Sequence, residues 1–561
     1  MGNGDIDRAA TVAAFAAHAG LDLEGDERAR LEAYVTTVWD MAARLREVPS
    51  PGLEGARGDL PLRAGYANHG PEAAPTPPSP PPGEARPERA AATIGRGVEE
   101  LQAALAAGTF SPLDLTAAVL ERIDRYDPFV RSYVTVDREG ALGAAAALGR
   151  ELQRGGARSL VHGLPIGAKD SIPIAGMRCT FNSPLMRDWR PRRDAEAIRR
   201  LRAAGAVMLG KHNLNEFGWS LPSEDDLTPP PRNPWYPGEF SVGSTSGGGA
   251  AVAAGLAAAA LGTDGGGSIR LPAGQHGLFG VKPGHGDVPR EGVSDGRVSE
   301  VSVLARSAED AAAILAVMQT DVDAGDAATR LRAFPRERVA FVAAAPGAVR
   351  LGVPQGYLDD VGMEEDVAVA FEAVRRAADE AGLELVEGPK RALDVLHDAV
   401  RANFVVIAAE HYFDHEGPGA RRERYGSSAG FYNLPGSCLT AADYLHALRV
   451  GGIARDAIDA VLGTVDLLLM PTTPVVRTST ARDPASHRRG GNARFTSPFN
   501  ISGHPASSFP AGMSREGIPI GAQLAGPRGS EYLQLRVARV LAARVPRPPF
   551  PDMDRVVGAG T

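Results

Sequence analysis

Two serine-bearing, glycine-dense turns constrain this chain more than any other feature. The first runs Gly243-Ser244-Thr245-Ser246-Gly247-Gly248-Gly249. The second runs Gly262-Thr263-Asp264-Gly265-Gly266-Gly267-Ser268-Ile269-Arg270. One short, alanine-rich apolar stretch separates them. Glycine runs admit positive φ and let successive backbone N–H groups converge on one small space. An acyl-transfer site needs that arrangement, because a nucleophile must sit beside preformed oxyanion donors. The intervening residues 257–261 read two ways: their propensity favours helix, while the turn that follows suits a strand.

Composition bounds the rest. A chain of 561 residues suggests roughly three or four structural units, and 43% hydrophobic residues are ample for a large core. Sixty basic against 68 acidic residues give a net charge of −8, which offers no basis for nucleic-acid binding. Cys179 and Cys438 are too few for a disulfide scaffold or a cysteine-based metal site and fit a reducing cytoplasm. The N-terminus has no secretory pattern, and no run of about 18 uncharged apolar residues predicts a membrane span.

The pattern along the chain divides it into three. Residues 1–48 read as a helical hairpin, with helices over Ala9–Ala19 and Asp26–Arg46. The second helix spaces Leu31, Tyr34, Val35, Val38, Met41, Ala42 and Leu45 for one apolar face. Forty residues make little core alone, so the hairpin is expected to dock on the remaining chain. Residues 49–92 read as a proline-rich linker, since Pro71 to Pro87 exclude helix. From residue 93 the chain reads as globular α/β, with helices over 98–105, 111–126 and 194–204 and strands over 130–136, 207–210 and 465–470. Residues 290–460 read as mostly helical.

Lys169 stands among small and apolar neighbours in Gly163-Leu164-Pro165-Ile166-Gly167-Ala168-Lys169-Asp170-Ser171, where a short strand could bury it. A serine hydroxyl needs a base, and a neutral lysine can serve because burial disfavours its charged form. Ser–Lys variants of the hydrolytic triad exist. Gly247-Gly248-Gly249 is not followed by Gly-Lys-Ser/Thr, so a phosphate loop is not indicated. His411 and His415 lack a third ligand nearby and read as one polar helix face, so no metal is expected.

Taken together, Val242 to Pro283, Lys169-Asp170, Lys211 to Phe217, Arg232-Asn233-Pro234-Trp235, Pro471-Thr472-Thr473-Pro474, residues 499–506 and residues 517–524 resemble the ordered blocks of the amidase signature family. The resemblance spans about residues 93–545. It implies a central mixed β-sheet flanked by α-helices. It also implies a Ser–Ser–Lys triad: Ser268 as nucleophile, Ser244 as relay after a cis Gly243–Ser244 bond, and Lys169 as base. Backbone N–H groups of Gly265, Gly266, Gly267 and Ser268 would form the oxyanion hole. Gly243, Thr245, Asp264 and Arg270 would support it, and Thr263 reads as structural. No cofactor is implied. The expected partner is a small amide or ureide substrate, with neither nucleic acid nor membrane, and a homodimer is an assembly to test.

Gln275 and His276 depart from the family pattern, as does Gly284-His285-Gly286-Asp287. These departures restrict the reading to reaction class. The N-terminal hairpin and proline-rich tail more faintly resemble small partner proteins of relatives, namely the C subunit of glutamyl-tRNA amidotransferase and the small subunit that accompanies carboxybiuret hydrolase. Three readings stay open. They are an amidohydrolase acting on a linear carboxamide or ureide, a glutaminase-type subunit supplying ammonia to a partner, and a catalytically silent scaffold.

Overall fold

A computed structural model describes residues 26–46, 85–224, 226–293, 296–319, 347–387, 393–416, 434–477, 491–546 and 550–558, with residues 342 and 345 besides. The strands are β1 (Tyr133–Val136), β2 (Pro165–Lys169), β3 (Val207–His212), β4 (Arg232–Asn233), β5 (Tyr236–Phe240), β6 (Ala259–Asp264), β7 (Phe279–Lys282), β8 (Glu300–Ala305), β9 (Arg350–Val353), β10 (Glu384–Glu387), β11 (Leu467–Pro471), β12 (Ala506–Met513) and β13 (Pro519–Ala525). β4 and β5 form a small hairpin. The others form one eleven-stranded sheet in the order β1-β3-β2-β6-β8-β7-β12-β13-β11-β9-β10. β3, β2 and β6 run parallel, as do β11, β9 and β10, while the strands between these two groups pair antiparallel.

Strand alternation sends successive side chains to opposite faces, and both faces are apolar. Met208, Ala259, Leu261, Val301 and Val303 enter one core, whereas Val207, Leu209, Ala260 and Leu304 enter the other. Helices cover both cores. The result is the mixed, helix-flanked sheet that the sequence implies.

The ambiguous 257–261 stretch resolves into β6, pairing with β2 and β8. The helix Pro112–Val130 starts at a Ser111/Asp114 capping box and ends at Arg131 in the left-handed region, so β1 begins later than the pattern suggested. Two further readings are refined. The 290–460 stretch is mostly helical among the described residues, as read, but it also contributes β8, β9 and β10, and β8 lies inside the sheet. The globular part also begins before residue 93. A helical turn at Glu88–Ala91 buries Ala90, and the Arg86 N–H donates to Asp114 Oδ1 (2.6 Å).

Of the predicted hairpin, Ala9–Ala19 lies outside the described residues, as does the linker over 49–84. Asp26–Arg46 forms one helix. Its Met41, Ala42 and Leu45 are buried with Ala399, Ala402, Val405 and Val406 from the helix Val395–Glu416 and Ala447, Val450 and Ala454 from the helix Ala441–Leu462. The His446 ring meets the Leu45 carbonyl at the same junction.

Candidate active site

Lys169 ends β2, and Thr263 and Asp264 end the neighbouring parallel strand β6, so their side chains meet at the carboxyl edge of the sheet. In open α/β sheets ligands bind at that edge. Lys169 is 0% exposed. Its Nζ donates to Ser244 Oγ (2.8 Å) and to Thr263 Oγ1 (2.6 Å). Thr263, read from sequence as structural, therefore touches the lysine directly.

Ser244 is buried and follows a cis peptide bond from Gly243. A Cβ on Gly243 would stand 2.2 Å from Asn215 Oδ1. After Ser244 the chain enters the helix Ser246–Ala253, which approaches the chain just before β1 so closely that a Cβ on Gly247 would meet the Ser132 carbonyl at 2.4 Å. Glycine is required there by contact rather than by flexibility. The two serine turns join through the Thr245 N–H, which donates to the Ser268 carbonyl (3.2 Å). Thr245 Oγ1 also donates to the Thr263 carbonyl (3.3 Å). Ser268 is half-buried, and among the described residues its hydroxyl makes no hydrogen bond.

The glycine loop can be followed peptide by peptide, because each planar trans unit points its C=O and its N–H in opposite directions. The Asp264 carbonyl accepts from Asn500 Nδ2 (2.7 Å), the Gly265 carbonyl from Asn403 Nδ2 (3.0 Å), and the Gly266 carbonyl from Thr496 Oγ1 (2.6 Å) and Ser497 Oγ (3.3 Å). The Gly267 carbonyl accepts from the Leu271 N–H (2.8 Å). Every carbonyl in the loop is thus held by a named donor. The N–H groups of Gly265, Gly266 and Ser268 have no acceptor among the described residues. The Gly267 N–H, in contrast, donates to Asp264 Oδ1 (2.7 Å). Of the four N–H groups expected to receive an oxyanion, that of Gly267 is thus taken by Asp264, and those of Gly265, Gly266 and Ser268 stay unengaged among the described residues. The left-handed φ of Gly267 (129°) and the Thr496 hydroxyl, 2.4 Å from where a Cβ would stand, exclude a larger residue there.

Asp264 and Arg270 are both 0% exposed and pair at 2.9 Å. Asp264 Oδ2 also takes the Ile269 N–H (3.2 Å). Arg270 reaches the Thr496 carbonyl (2.9 Å), Gln523 Oε1 (3.2 Å) and Asn500 Oδ1 (2.6 Å). Burial alone would raise the Asp264 pKa, but the Arg270 guanidinium and its hydrogen bonds hold it well below the usual carboxylate range. Both residues therefore shape the loop from beneath, as supports.

The departures from the family pattern are held by contacts of their own. Gln275 donates to the Val476 carbonyl (2.7 Å). His276 Nδ1 meets the Pro272 carbonyl (2.8 Å) and its Nε2 meets Ser241 Oγ (3.0 Å), while burial lowers its pKa to about 4 and keeps the ring neutral. In the second departure, Glu531 Oε1 accepts the Gly284 N–H (2.9 Å). Burial and the neighbouring Asp287 carboxylate raise the Glu531 pKa to about 8. A carboxyl with a raised folded pKa contributes stability that is fully present below its unfolded value and is lost as pH climbs to the folded one. Unfolding free energy should therefore fall as pH rises above the ordinary glutamate value of 4.5. Glu531→Gln should flatten that slope in denaturant titrations across pH, and an unchanged slope would refute the raised Glu531 pKa.

His212 and the Lys211–Asp170 ion pair (3.3 Å) are buried beside Lys169. Burial, with Lys211 nearby, lowers the His212 pKa to about 3, so its ring packs as a neutral group. Among the described residues no cluster of His, Cys, Asp and Glu could hold a metal ion. The side chain of His415 lies outside them. No helix among them is long and apolar enough to cross a membrane.

Comparison with known proteins gives the same direction. A family model described as Amidase matches residues 114–535. The A subunit of glutamyl-tRNA(Gln) amidotransferase from Roseiflexus castenholzii is 35% identical over 477 residues, covering 78% of this chain and 94% of that relative. The native peptide amidase of Stenotrophomonas maltophilia is 28% identical with a TM-score of 0.68, covering 82% of this chain and 99% of that one. A 6-aminohexanoate cyclic dimer hydrolase solved with its substrate has a TM-score of 0.72 over 82% of this chain and all of that one, and at 24% identity this likeness speaks to the fold.

Proposed function

Since this chain belongs to the amidase family and is an amidohydrolase, we propose that it cleaves a linear carboxamide or ureide through an acyl-enzyme on Ser268. The observation that carries this reading is the contact of buried Lys169 Nζ with Ser244 Oγ, in a turn tied to Ser268 and to three unengaged N–H groups.

Neutral Lys169 takes the Ser244 hydroxyl proton as Ser244 takes that of Ser268. Ser268 Oγ attacks the carbonyl carbon, and the N–H groups of Gly265, Gly266 and Ser268 receive the developing oxyanion. Losing one such donor typically costs about 10²–10³-fold in rate. As the tetrahedral adduct collapses, the C–N bond breaks. The leaving nitrogen takes a proton from Ser244, which is restored from Lys169. Water then repeats the sequence against the seryl ester and releases the acid. Each proton is accounted for, and the steps draw only on this chain and water.

The test is an ammonia- and amine-release screen over primary aliphatic amides, aryl amides, ureides and glutamine. Turnover of at least one class, with labelling of Ser268 by a serine-reactive phosphonate, is expected. Failure of both would sink the reading and revive a silent scaffold. Identity to part of an amidotransferase favours a second reading, a glutaminase-type subunit; glutamine cleavage that requires an added partner would select it. Free Cys179 and Cys438 support a cytoplasmic setting.

A further inference from the structure

The helix Val395–Glu416 carries Asn403, which has no part in the triad. Its side chain is 0% exposed, and its Nδ2 donates to the Gly265 carbonyl (3.0 Å). Its Oδ1 is buried without a hydrogen-bond partner among the described residues. A buried, unmatched amide oxygen costs about 1–3 kcal/mol, and an apolar side chain of similar size would avoid that cost. Such a group calls for an explanation other than packing.

The explanation lies in the peptide that Asn403 holds. The Gly265 carbonyl and the Gly266 N–H belong to one planar unit and point in opposite directions. Fixing the carbonyl on Asn403 therefore aims the Gly266 N–H. Glycine on both sides of that unit leaves it free to rotate without such a hold. We propose that Asn403 is a positioning residue for catalysis: it holds the Gly265–Gly266 peptide so that the Gly266 N–H meets the oxyanion. This rests on the reading of the glycine loop as the oxyanion hole.

The next peptide supplies an internal control. Thr496, with a longer bond from Ser497, holds the Gly266 carbonyl, but the N–H of that unit belongs to Gly267 and goes to Asp264. Loosening it disturbs the same loop without misaiming a free donor. A merely structural role for Asn403 would make the two sites equivalent, whereas positioning makes them differ.

The experiment compares Asn403→Leu, Asn403→Ala and Thr496→Val with the parent chain, using whichever amide the release screen identifies. Melting temperature, kcat and KM are measured, together with affinity for an aldehyde that forms a tetrahedral adduct on the serine. Misaiming one donor should cost less than deleting it, so kcat is expected to fall about 10- to 100-fold in both Asn403 variants with KM nearly constant. Aldehyde affinity should fall in parallel while affinity for the product acid holds. Thr496→Val should lose markedly less. Equal losses at Asn403 and Thr496, a loss confined to KM, unchanged kcat, or failure of both Asn403 variants to fold would each overturn the proposal. Ser268→Ala is assayed alongside. If it retains turnover, the acyl-enzyme reading fails; if it is inactive while Asn403→Leu is fully active, only the positioning role fails.

Discussion

Replacing Ser268 by alanine should lower kcat by about a million-fold while leaving the melting temperature nearly unchanged. The size follows from the shared role of the three side chains. In the proposed mechanism Lys169 and Ser244 serve only to move a proton on and off Ser268, so without that oxygen they would have nothing to activate. The three N–H groups would remain and could still polarise a bound carbonyl, leaving a small residual rate over water. Stability should hold because Ser268 is half-buried, its hydroxyl makes no hydrogen bond among the described residues, and alanine keeps the backbone that ties its carbonyl to Thr245. Measured turnover within about tenfold of the parent chain would exclude Ser268 as the nucleophile.

Asp264→Ala should have the largest effect on stability, about 3–5 kcal/mol in denaturant unfolding. The charge of Arg270, 0% exposed, would lose its counter-ion, and the N–H groups of Gly267 and Ile269 would lose their acceptor together. Activity should collapse as well, because the glycine loop proposed to present the oxyanion donors would lose its floor. The pH dependence has a definite sign. The folded pKa of Asp264 lies below its ordinary value of 3.8, so its contribution is present above that value and is lost as pH falls through the folded one. The parent chain should lose this part of its stability only in strong acid, and the variant should lack that acid-side loss. A loss below about 1 kcal/mol would mean that the pair is replaceable.

Much of this was legible in the sequence because the chemistry is local. Ser244, Ser268 and the glycines between them lie on one short stretch, and Lys169 reaches them from the adjacent parallel strand. Asn403 and Thr496 were not legible. They approach the loop from segments more than a hundred residues away, and nothing in their own neighbourhoods marks them. The fate of the Gly267 N–H was hidden for a related reason, since only the fold shows the Asp264 side chain turning back on its own loop. The signal for β8 was present, since Glu300-Val301-Ser302-Val303 alternates polar and apolar residues as a strand does, but the helical pattern of the surrounding 290–460 stretch masked it.

The helix Asp26–Arg46 packs on the outer side of the helix that carries Asn403. A separate protein docked on that surface would dissociate on dilution, following mass action. Here the covering element is joined to the enzyme by its own chain, so its local concentration is set by the tether and not by expression level. Specific activity should therefore stay constant through serial dilution. Cutting the chain within residues 47–84 at an inserted protease site should make activity fall as the cut protein is diluted and return when it is concentrated.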